Sequence, residues 1–561
     1  MATDKLDQTG PWYKGITRYQ WLVLIIASLG WVFDIFEGQI FVASMNEAIP
    51  SLYPEHVQQM SPTDQEGYKS FYVQITFGAF LLGGALGGVI FGIVSDRVGR
   101  KRAMTYTILM YSLFTCISAF SFVWWHMAVF RFLVAMGVGG EWAVASALVA
   151  EVFPKRARAW SLGIFHASSV LGTYLAIAAG EYVVNNPAID QFAKKIGKEE
   201  WWPVWIDPVT VPWRIGFVFG LLPALLIIWV RMSLKEPETW EKAKSVADKD
   251  ATRKMGSFTA LFAPDIIRNT LVGVSLAAIG MGTFWGVHVF GKDLVRNELR
   301  AMHFGFKGRK PDPDESMLVV DSFDKAVKKF DANSESVSPA VQLALKEARV
   351  ALSGPGLGYL QNQISKKLNP QEYEADPAEM FTQLSVDEAK VVQGILIATE
   401  QPFNRPIKSW AMLAMFVTTT GGGIGLILFG PISDAYGRRR TFLFFHLGGF
   451  VIALITLNLV SGVGPLLLFL PLFGFLTLGM HAGYAVYFPE LFPTRLRGSG
   501  GGFCFNVGRV LAAPILFLAG WMQRDWNYSL NEACSLLSLL FLLGVVVIPF
   551  AKETRGEELP K

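Results

Sequence analysis

The sequence predicts an all-α membrane protein with twelve transmembrane helices in two pseudo-symmetric six-helix halves. Three observations lead to this fold class: an apolar composition, many apolar runs of membrane-spanning length, and two motifs that each occur twice. Hydrophobic residues make up 52% and charged residues 17% of the 561 positions, whereas about a quarter of a typical soluble protein is charged. Because lipid requires backbone polar groups to be satisfied internally, and no strand-like alternation is visible, the spans are expected to be helices.

Twelve apolar runs have roughly the length that crosses a bilayer. Their predicted limits are 20–46, 71–94, 103–123, 126–150, 159–181, 213–232, 269–291, 409–431, 441–461, 464–488, 499–521 and 531–551.

The duplicated motifs define the two halves. Gly92–Arg102 recurs as Gly430–Arg440, an offset of 338 (430 − 92), and Glu151–Arg158 recurs as Glu490–Arg497, an offset of 339 (490 − 151). Two unrelated motifs that share one offset indicate a tandem repeat.

The predicted domains are an N-terminal half over 1–232, a charged inter-half linker over 233–268, and a C-terminal half over 269–561. The linker is interpreted as a partly helical, solvated tether on the cytoplasmic surface. Residues 292–408 form a polar insertion between helices 7 and 8, either a cap or partner-binding subdomain or a neutral insertion.

Positive charge in short loops predicts the orientation. Loops 2–3, 4–5, 8–9 and 10–11 are rich in Lys and Arg, and all of them lie on one side, which should be the cytoplasm. Both termini are then cytoplasmic and the insertion faces outside. The first ~19 residues hold no signal-peptide core, so the first helix itself should direct insertion.

Composition also excludes several classes of protein. A net charge of +4 without a basic stripe argues against nucleic acid. The three cysteines, Cys116, Cys504 and Cys534, lie in apolar runs and suggest neither disulfides nor a metal site. We expect no cofactor and no enzymatic activity, and a monomer whose partners are the lipid bilayer, a small-molecule substrate and protons.

Charged residues lie well inside three predicted spans, where an unpaired charge costs several kcal/mol. Asp34 and Glu37 share one face of helix 1, Arg131 and Glu141 lie in helix 4, and Arg509 lies in helix 11. Each must face protein or water.

The duplicated motifs resemble a known family. Gly-x-x-x-Asp-Arg-x-Gly-Arg-Lys/Arg after helix 2 is similar to the signature of the major facilitator superfamily. Glu-x-Phe-Pro-x-x-x-Arg, with Glu553–Gly556, resembles its sugar-porter and metabolite:proton symporter branches. Pro11–Tyr13 and Gly139–Trp142 resemble the sialate and lactate:proton symporter group.

The resemblance implies that the duplicated motifs form a conformational latch, and topology signalling by positive charge alone is the alternative. The predicted latch residues are Gly92, Asp96, Arg97, Gly99, Arg100, Glu151 and Arg158 in the first half, and Asp434, Gly437, Arg438, Glu490 and Arg497 in the second.

Asp34 and Arg131 match the proton-coupling pair of proton symporters in the sugar-porter branch. Burial favours a protonated carboxyl group and a nearby guanidinium favours the ionised form, so relative motion of the pair would move a proton. Glu37 could serve instead or share the proton, with Glu141 the next candidate. A static salt bridge is the alternative interpretation.

Arg509 is predicted to bind a substrate anion, because a guanidinium offers two parallel hydrogen bonds to a carboxylate. An internal pair with Glu141 is the alternative. Asn506 lies one turn before Arg509. Further candidates, each of which could equally serve packing, are His166, Trp285, His288, His481 and Tyr484. Helix 7 lacks the Gln-Gln signature of hexose transporters.

These features together predict proton symport of a small organic anion, a monocarboxylate or sugar acid, by alternating access across a plasma or inner membrane. A sugar or polyol symporter, or a facilitator, is the first alternative. A non-transporting membrane sensor that uses the insertion as its ligand domain is the second alternative. The titratable residues in the spans disfavour a sensor, because a sensor does not need them.

Overall fold

The computed structural model describes residues 11–58, 62–184, 186–199, 206–250, 254–304, 313–331, 342, 345–346, 349, 386–526 and 528–561. Throughout these ranges the regular structure is helical, which confirms the predicted fold class. The α-helices of the first half and linker are α1 Arg18–Ala48, α2 Glu55–Gln58, α3 Pro62–Val98, α4 Arg100–Ser118, α5 Trp124–Val152, α6 Lys155–Ala167, α7 Ser169–Ala179, α8 Pro187–Ile196, α9 Val211–Val218, α10 Ala224–Ser233 and α11 Glu238–Ala247.

The second half continues the series. Its helices are α12 Ile267–Gly286, α13 Gly291–Phe304, α14 Pro313–Asp331, α15 Val386–Tyr436, α16 Arg438–Asn458, α17 Val463–Leu478, α18 Ala482–Leu491, α19 Arg497–Asp525, α20 Leu530–Leu537 and α21 Leu540–Val547. Short 3-10 turns lie at Pro50–Leu52, Pro208–Thr210, Phe219–Leu221, Thr259–Phe262, His288–Phe290, Gly479–His481, Thr494–Leu496 and Ile548–Phe550, and a π-turn lies at Gly180–Val184.

Local sequence determines where several helices begin. Thr17 and Ser529 form capping boxes with Gln20 and Glu532 at the starts of α1 and α20, which satisfy backbone N–H groups that have no partner inside the helix. At each duplicated motif a single glycine separates two helices. Gly99, with φ +107°, lies between α3 and α4, and Gly437, with φ +94°, lies between α15 and α16. A side chain is disfavoured at such φ values.

Within the described residues, eleven helical segments are long and apolar enough to cross a membrane. The remaining predicted span, the third, corresponds to α4, which is helical over 19 residues but more polar. One face of α4 carries Thr107, Tyr111 and Thr115, all buried. The polarity of this helix therefore faces the protein interior, where it serves the site described below.

The chain divides into two compact units. The first comprises residues up to Val289, Thr419–Leu454 and Leu472–Lys561. Here α3 and α5 approach so closely that a Cβ at Gly83, Gly87 or Gly139 would collide with the backbone of the facing helix. Small residues at such crossings allow backbone-to-backbone packing.

The second unit comprises Phe290–Thr418 and Ile455–Pro471 and contains the predicted insertion. Arg300 pairs with Glu400 at 3.0 Å, and the Ser322 hydroxyl donates to the Thr399 carbonyl at 3.0 Å. Arg349 donates two hydrogen bonds to Asp324, at 2.8 and 2.9 Å, and these bonds lower the pKa of Asp324. Among the described residues, Val386–Thr418 belong to α15, so this helix begins well before the predicted span at 409.

The domain boundaries at residues 232 and 268, and the side of the membrane on which each loop lies, stay predictions.

Candidate functional site

Three carboxyl groups lie together in the first half, on α1 and α5. Asp34, Glu37 and Glu141 are at most 1% exposed. The Thr107 hydroxyl donates to Glu141 Oε2, whereas Oε1 of Glu141 and both carboxyl oxygens of Asp34 have no hydrogen-bond partner among the described residues. Glu141 Oε1 lies against α1 at Gly30, where a Cβ would come within 2.7 Å of it. Gly30 precedes Asp34 by one turn.

The polar face of α4 runs alongside these groups. Tyr111 packs on Gly137, one turn before Glu141, where an added Cβ would lie 2.8 Å from Tyr111 N. The Tyr111 hydroxyl is buried without a hydrogen-bond partner in the described part of the chain, and it interacts electrostatically with all three carboxyl groups. Thr115 and Glu37 both border Gly220. We call Asp34, Glu37, Glu141, Thr107, Tyr111 and Thr115 the carboxyl cluster.

Arg131 contacts Glu37. Its Nη2 donates to the Glu37 carbonyl at 2.7 Å, its charge acts on the Glu37 carboxylate, and its guanidinium lies 4.9 Å from the Phe80 ring centroid. This differs from the expected pairing of Arg131 with Asp34. Glu37 lies three residues, about 4.5 Å, further along α1, and Arg131 meets the helix at that level.

The guanidinium that acts on Asp34 is that of Arg509, on α19 of the second half. Arg509 lies 5.2 Å from the Phe505 ring centroid, and a Cβ at Gly84 of α3 would be 2.9 Å from its Nη1. It makes no hydrogen bond or ion pair with any described residue, so the alternative pair with Glu141 does not form. Asn506 donates to the carbonyls of Gly139 and Gly502, at 3.3 and 2.9 Å, and thereby joins the two halves.

The other substrate candidates make internal contacts. His166 Nδ1 accepts from Trp142 Nε1 at 3.2 Å, His288 bonds Thr477 at 2.7 Å, and His481 lies 3.2 Å from the Gly280 carbonyl. The Tyr484 hydroxyl donates to the Leu276 carbonyl at 3.1 Å, and Trp285 packs edge-on against Phe284. Within the described residues no group of three or more His, Cys, Asp or Glu side chains could hold a metal ion.

The first copy of the duplicated motif reaches across to the second half. Asp96 Oδ1 accepts from Gly498 N at 3.0 Å, and Oδ2 accepts from Ser499 N and Oγ at 2.8 and 2.6 Å. These amides belong to the first turn of α19, which lacks intrahelical acceptors. Arg100 pairs with Asp96 at 2.7 Å. No space remains for a Cβ at Gly92, which abuts the Gly498 carbonyl.

Glu151 extends the same network. It pairs with Arg100 at 2.7 Å and with Arg497 of the second half at 2.8 Å. Arg100 also donates to the Thr494 carbonyl at 3.2 Å. The end of the bundle that carries the motifs, which we call the basic end, is therefore closed by buried contacts between the halves.

In the second copy, the two acids bond residues of their own half within the described part of the chain. Arg438 pairs with Asp434 at 2.7 Å and Glu490 at 2.6 Å, and Thr554 donates to Glu490 at 2.6 Å. Arg158, the counterpart of Arg497, donates to the Ala150 carbonyl at 2.9 Å within its own half.

Proteins with a similar sequence and a similar fold are known. The family model of the Major Facilitator Superfamily matches residues 35–296. A solved structure titled as the proton:xylose symporter XylE has the same fold, with a TM-score of 0.55 at 15% identity, and the match covers 96% of this chain and 98% of that one. In sequence over these residues, and in its fold, the chain resembles the major facilitator superfamily.

Several curated relatives of this chain are bacterial transporters. A Haemophilus influenzae protein named for metabolite transport is 22% identical over 97% of this chain and 99% of its own length. The cis,cis-muconate transport protein of Acinetobacter baylyi is 22% identical over 85% and 84%. The sialic acid transporter NanX of Escherichia coli is 28% identical over 42% and 48%. The chain is thus an integral, multi-pass membrane transporter of metabolites.

The linker makes contacts that sequence reasoning missed. Glu236 accepts from Arg100 N at 2.7 Å, and Trp240 Nε1 donates to the Asp96 carbonyl at 2.7 Å. Gly256 joins the halves, since its carbonyl accepts from Arg97 at 3.1 Å and its N–H donates to the Arg495 carbonyl at 2.9 Å. The expected solvated tether is instead docked at the basic end, because its polar groups satisfy backbone and guanidinium groups there.

A sequence signal for Glu236 did exist. Lys235-Glu236 follows the last apolar span of the first half as Lys552-Glu553 follows that of the second, and Glu553 accepts from Arg438 N at 2.9 Å. The two glutamates are counterparts.

Proposed function

We propose that this protein carries a small organic anion, a monocarboxylate or sugar acid, together with protons by alternating access. The observation that carries the proposal is the Arg509 guanidinium, which makes no hydrogen bond or ion pair with any described residue. Its five N–H donors therefore have no acceptor among the described residues, within a bilayer span where polar groups need partners. A substrate carboxylate would accept two parallel hydrogen bonds from it.

The names of relatives support an anionic substrate. Sialic acid and cis,cis-muconate, for which two relatives are named, both carry carboxylate groups. Asn506, Trp285 and the histidines and tyrosine proposed as substrate contacts, His166, His288, His481 and Tyr484, would line the path of the substrate once their internal bonds rearrange.

Coupling would follow from Asp34. Asp34 and the substrate carboxylate would compete for the same guanidinium, so anion binding at Arg509 would favour protonation of Asp34. Arg131 would hold Glu37 ionised, and Glu141 would be a further proton site. The contacts at the basic end would hold one state of the cycle closed, and opening the basic end would release both substrate and proton to the cytoplasm.

Uptake into proteoliposomes tests the substrate class. We expect uptake of a carboxylate from a panel of sialic acid, nicotinate, cis,cis-muconate, lactate and xylose, stimulated by a proton gradient. Arg509→Lys keeps the positive charge but cannot form the bidentate pair of hydrogen bonds with a carboxylate, so the apparent KM for the carboxylate should rise at least tenfold. Arg214→Lys is the matched control, since Arg214 lies in another span and bonds Thr210 and the Ala119 carbonyl. Uptake of xylose alone, unchanged by Arg509→Lys, would refute the anion assignment.

Asp34→Asn tests the coupling. The variant mimics the protonated group, so it should exchange labelled for unlabelled substrate but fail to accumulate substrate against a gradient. Glu37→Gln is the comparison, and exchanged phenotypes would assign the proton to Glu37. Normal accumulation in both variants would place coupling elsewhere.

Labelling from either side tests the orientation. A cysteine at the exposed Ser245 should react with an impermeant reagent from the cytoplasmic side only.

A further inference from the structure

Two aromatic rings, one from each half, stack beside Arg509. Trp142 on α5 and Phe505 on α19 lie face to face, with ring centroids 3.9 Å apart and ring planes inclined by 14°. We call these two residues the aromatic pair. Arg509 follows Phe505 by four residues, so both side chains lie on one face of α19, and its guanidinium lies 5.2 Å from the Phe505 centroid. A molecule whose carboxylate binds Arg509 is therefore held against the aromatic pair.

The aromatic pair is closed while the basic end is closed. Both rings are at most 2% exposed, whereas Arg509 is partly exposed. Beside the pair, Asn506 on α19 donates to the Gly139 carbonyl on α5 at 3.3 Å. Nearer the basic end, Glu151 on α5 pairs with Arg497 on α19 at 2.8 Å. Opening of the basic end separates these two helices, so it must also separate the two rings.

Separation of the rings has a cost that a substrate can offset. Stacked aromatic rings attract one another beyond the apolar area that they bury, and separation leaves two parallel apolar faces without contact. A flat conjugated group between them restores a stack on each face, whereas a saturated, puckered group of the same size cannot lie flat on either ring. Because these contacts exist only when the rings are apart, the flat group shifts the equilibrium toward the open basic end.

The polar groups that border the aromatic pair are already bonded within the protein. Trp142 Nε1 donates to His166 Nδ1 at 3.2 Å. Tyr484 packs against the pair, and its hydroxyl donates to the Leu276 carbonyl at 3.1 Å. Asn506 Oδ1, which has no hydrogen-bond partner among the described residues, can accept from a single substrate N–H or O–H. A substrate with many hydroxyl groups would leave most of them unpaired at the pair, which weakens binding.

We propose that the carboxylate carried is flat and conjugated, an aromatic or polyunsaturated monocarboxylate whose flat group enters between Trp142 and Phe505 as the basic end opens. This inference rests on the proposed function and specifies its substrate class. Arg509 binds the carboxylate, and the aromatic pair selects the shape of the remainder. Of the acids in the uptake panel, nicotinate should therefore be carried in preference to lactate and sialic acid.

A matched pair of acids tests the selection. Benzoate and cyclohexanecarboxylate have the same number of carbon atoms and the same charge, but the first ring is flat and the second is puckered. Isothermal titration calorimetry of the purified full chain in detergent at neutral pH measures the dissociation constant of each acid. We expect benzoate to bind about fivefold more tightly or better, the effect of a stacked contact. Arg509→Lys should weaken both acids by the same factor.

Variants of the aromatic pair locate the selection. Phe505→Leu removes the ring but keeps an apolar side chain, so the two acids should bind within about twofold of each other. Phe505→Tyr keeps the ring face and should keep the preference for benzoate. Phe445→Leu is the matched control, because Phe445 is a buried ring that packs on Phe429 and Phe475 of its own half, and it should also keep the preference. The affinity ratio compares two ligands on one protein, so partial misfolding does not change it.

Spin labels report whether the flat acid favours opening. The exposed positions Arg102 and Arg440 lie on opposite halves at the basic end, and the distance between labels there lengthens when this end opens. Saturating benzoate should increase the population of long distances at least threefold, and saturating cyclohexanecarboxylate should not. A distance distribution that benzoate leaves unchanged would overturn insertion between the rings.

The outcomes separate this inference from the proposed function. Equal affinities for benzoate and cyclohexanecarboxylate, both weakened by Arg509→Lys, would overturn this inference alone. Binding of neither acid to a protein that carries lactate or sialic acid would do the same. A preference for benzoate that Phe505→Leu leaves intact would overturn the assignment of the aromatic pair. Uptake of xylose alone would overturn the proposed function itself.

Discussion

The two copies of the duplicated motif make the same bonds within their own half and differ in their bonds to the opposite half. In both copies an arginine joins two acids, Arg100 with Asp96 and Glu151, and Arg438 with its own aspartate and glutamate. In the first copy both acids also bond the opposite half. In the second copy the two acids, Asp434 and Glu490, bond described residues of their own half only.

This difference shows that sequence symmetry need not produce symmetric energetics. The Asp96 side chain is fully buried, whereas that of Asp434 is 33% exposed. A solvated carboxylate gains little from its partners, and a buried one becomes costly when a partner leaves. We therefore expect the first copy to control opening of the basic end and the second to stabilise its own half.

The largest difference is expected between Glu151→Gln and Glu490→Gln. Loss of Glu151 leaves Arg100 and Arg497 without their shared acid, which should cost about 3–5 kcal/mol of the closed state. Distances between spin labels at the exposed positions Arg102 and Arg440 should lengthen in Glu151→Gln. Glu490→Gln should lower thermal stability and leave that distance unchanged. Equal lengthening in both variants would mean that the two copies share the control of opening.

Asp96→Asn and Asp434→Asn form the next comparison. Hydrogen bonds to charged groups contribute about 1.5–3 kcal/mol, so Asp96→Asn should raise the open population roughly tenfold or more in the same spin-label experiment. For Asp434→Asn we expect a change below about threefold. A larger effect for Asp434 would contradict the one-sided arrangement.

The two motif glycines should behave alike. Gly99 and Gly437 both have positive φ and both lie beside a capping glutamate, so replacement by Ala should cost about 1–3 kcal/mol at either site. Thermal unfolding of each variant in detergent measures the cost. A large inequality would show that the motifs differ locally as well.

The smallest effects are expected at Glu236 and Glu553, which accept from helix N-terminal amides at 2.7 and 2.9 Å. Each →Gln variant keeps a hydrogen-bond acceptor and loses the charge, which should cost about 0.5–1 kcal/mol in the same assay. Truncation to Ala should roughly double that cost, and an Ala variant as stable as the unmutated protein would exclude the capping role.

The sequence predicted the elements of this site better than their pairing. Repeats and apolar runs identified the fold and every motif residue, because these signals are local. Helix periodicity placed Asp34 and Glu37 on one face of α1. Which of them contacts Arg131 depends on the axial offset between α5 and α1, which the sequence does not specify. The crossing bonds of the first copy depend on which state of the cycle is populated, and no residue spacing encodes that.

Two other differences have simple causes. The third span was located by its apolar residues, whereas the residues that border the buried carboxyl groups are polar: Thr107, Tyr111 and Thr115. Glu236 lies in a charged segment in which every side chain is expected to be solvated. Only the matching position of Glu553 in the second half indicates that Glu236 makes a specific contact.

The glycine crossing of α3 and α5 has a mechanical consequence. Backbone lies directly against backbone at Gly83, Gly87 and Gly139, and no side chain separates the helices at these three positions. We therefore expect α3, which carries Asp96, and α5, which carries Glu141, to move together. A tilt of α3 that begins when Asp96 leaves α19 would then also displace Glu141, so that opening of the basic end and access to this buried carboxyl group would occur in one movement.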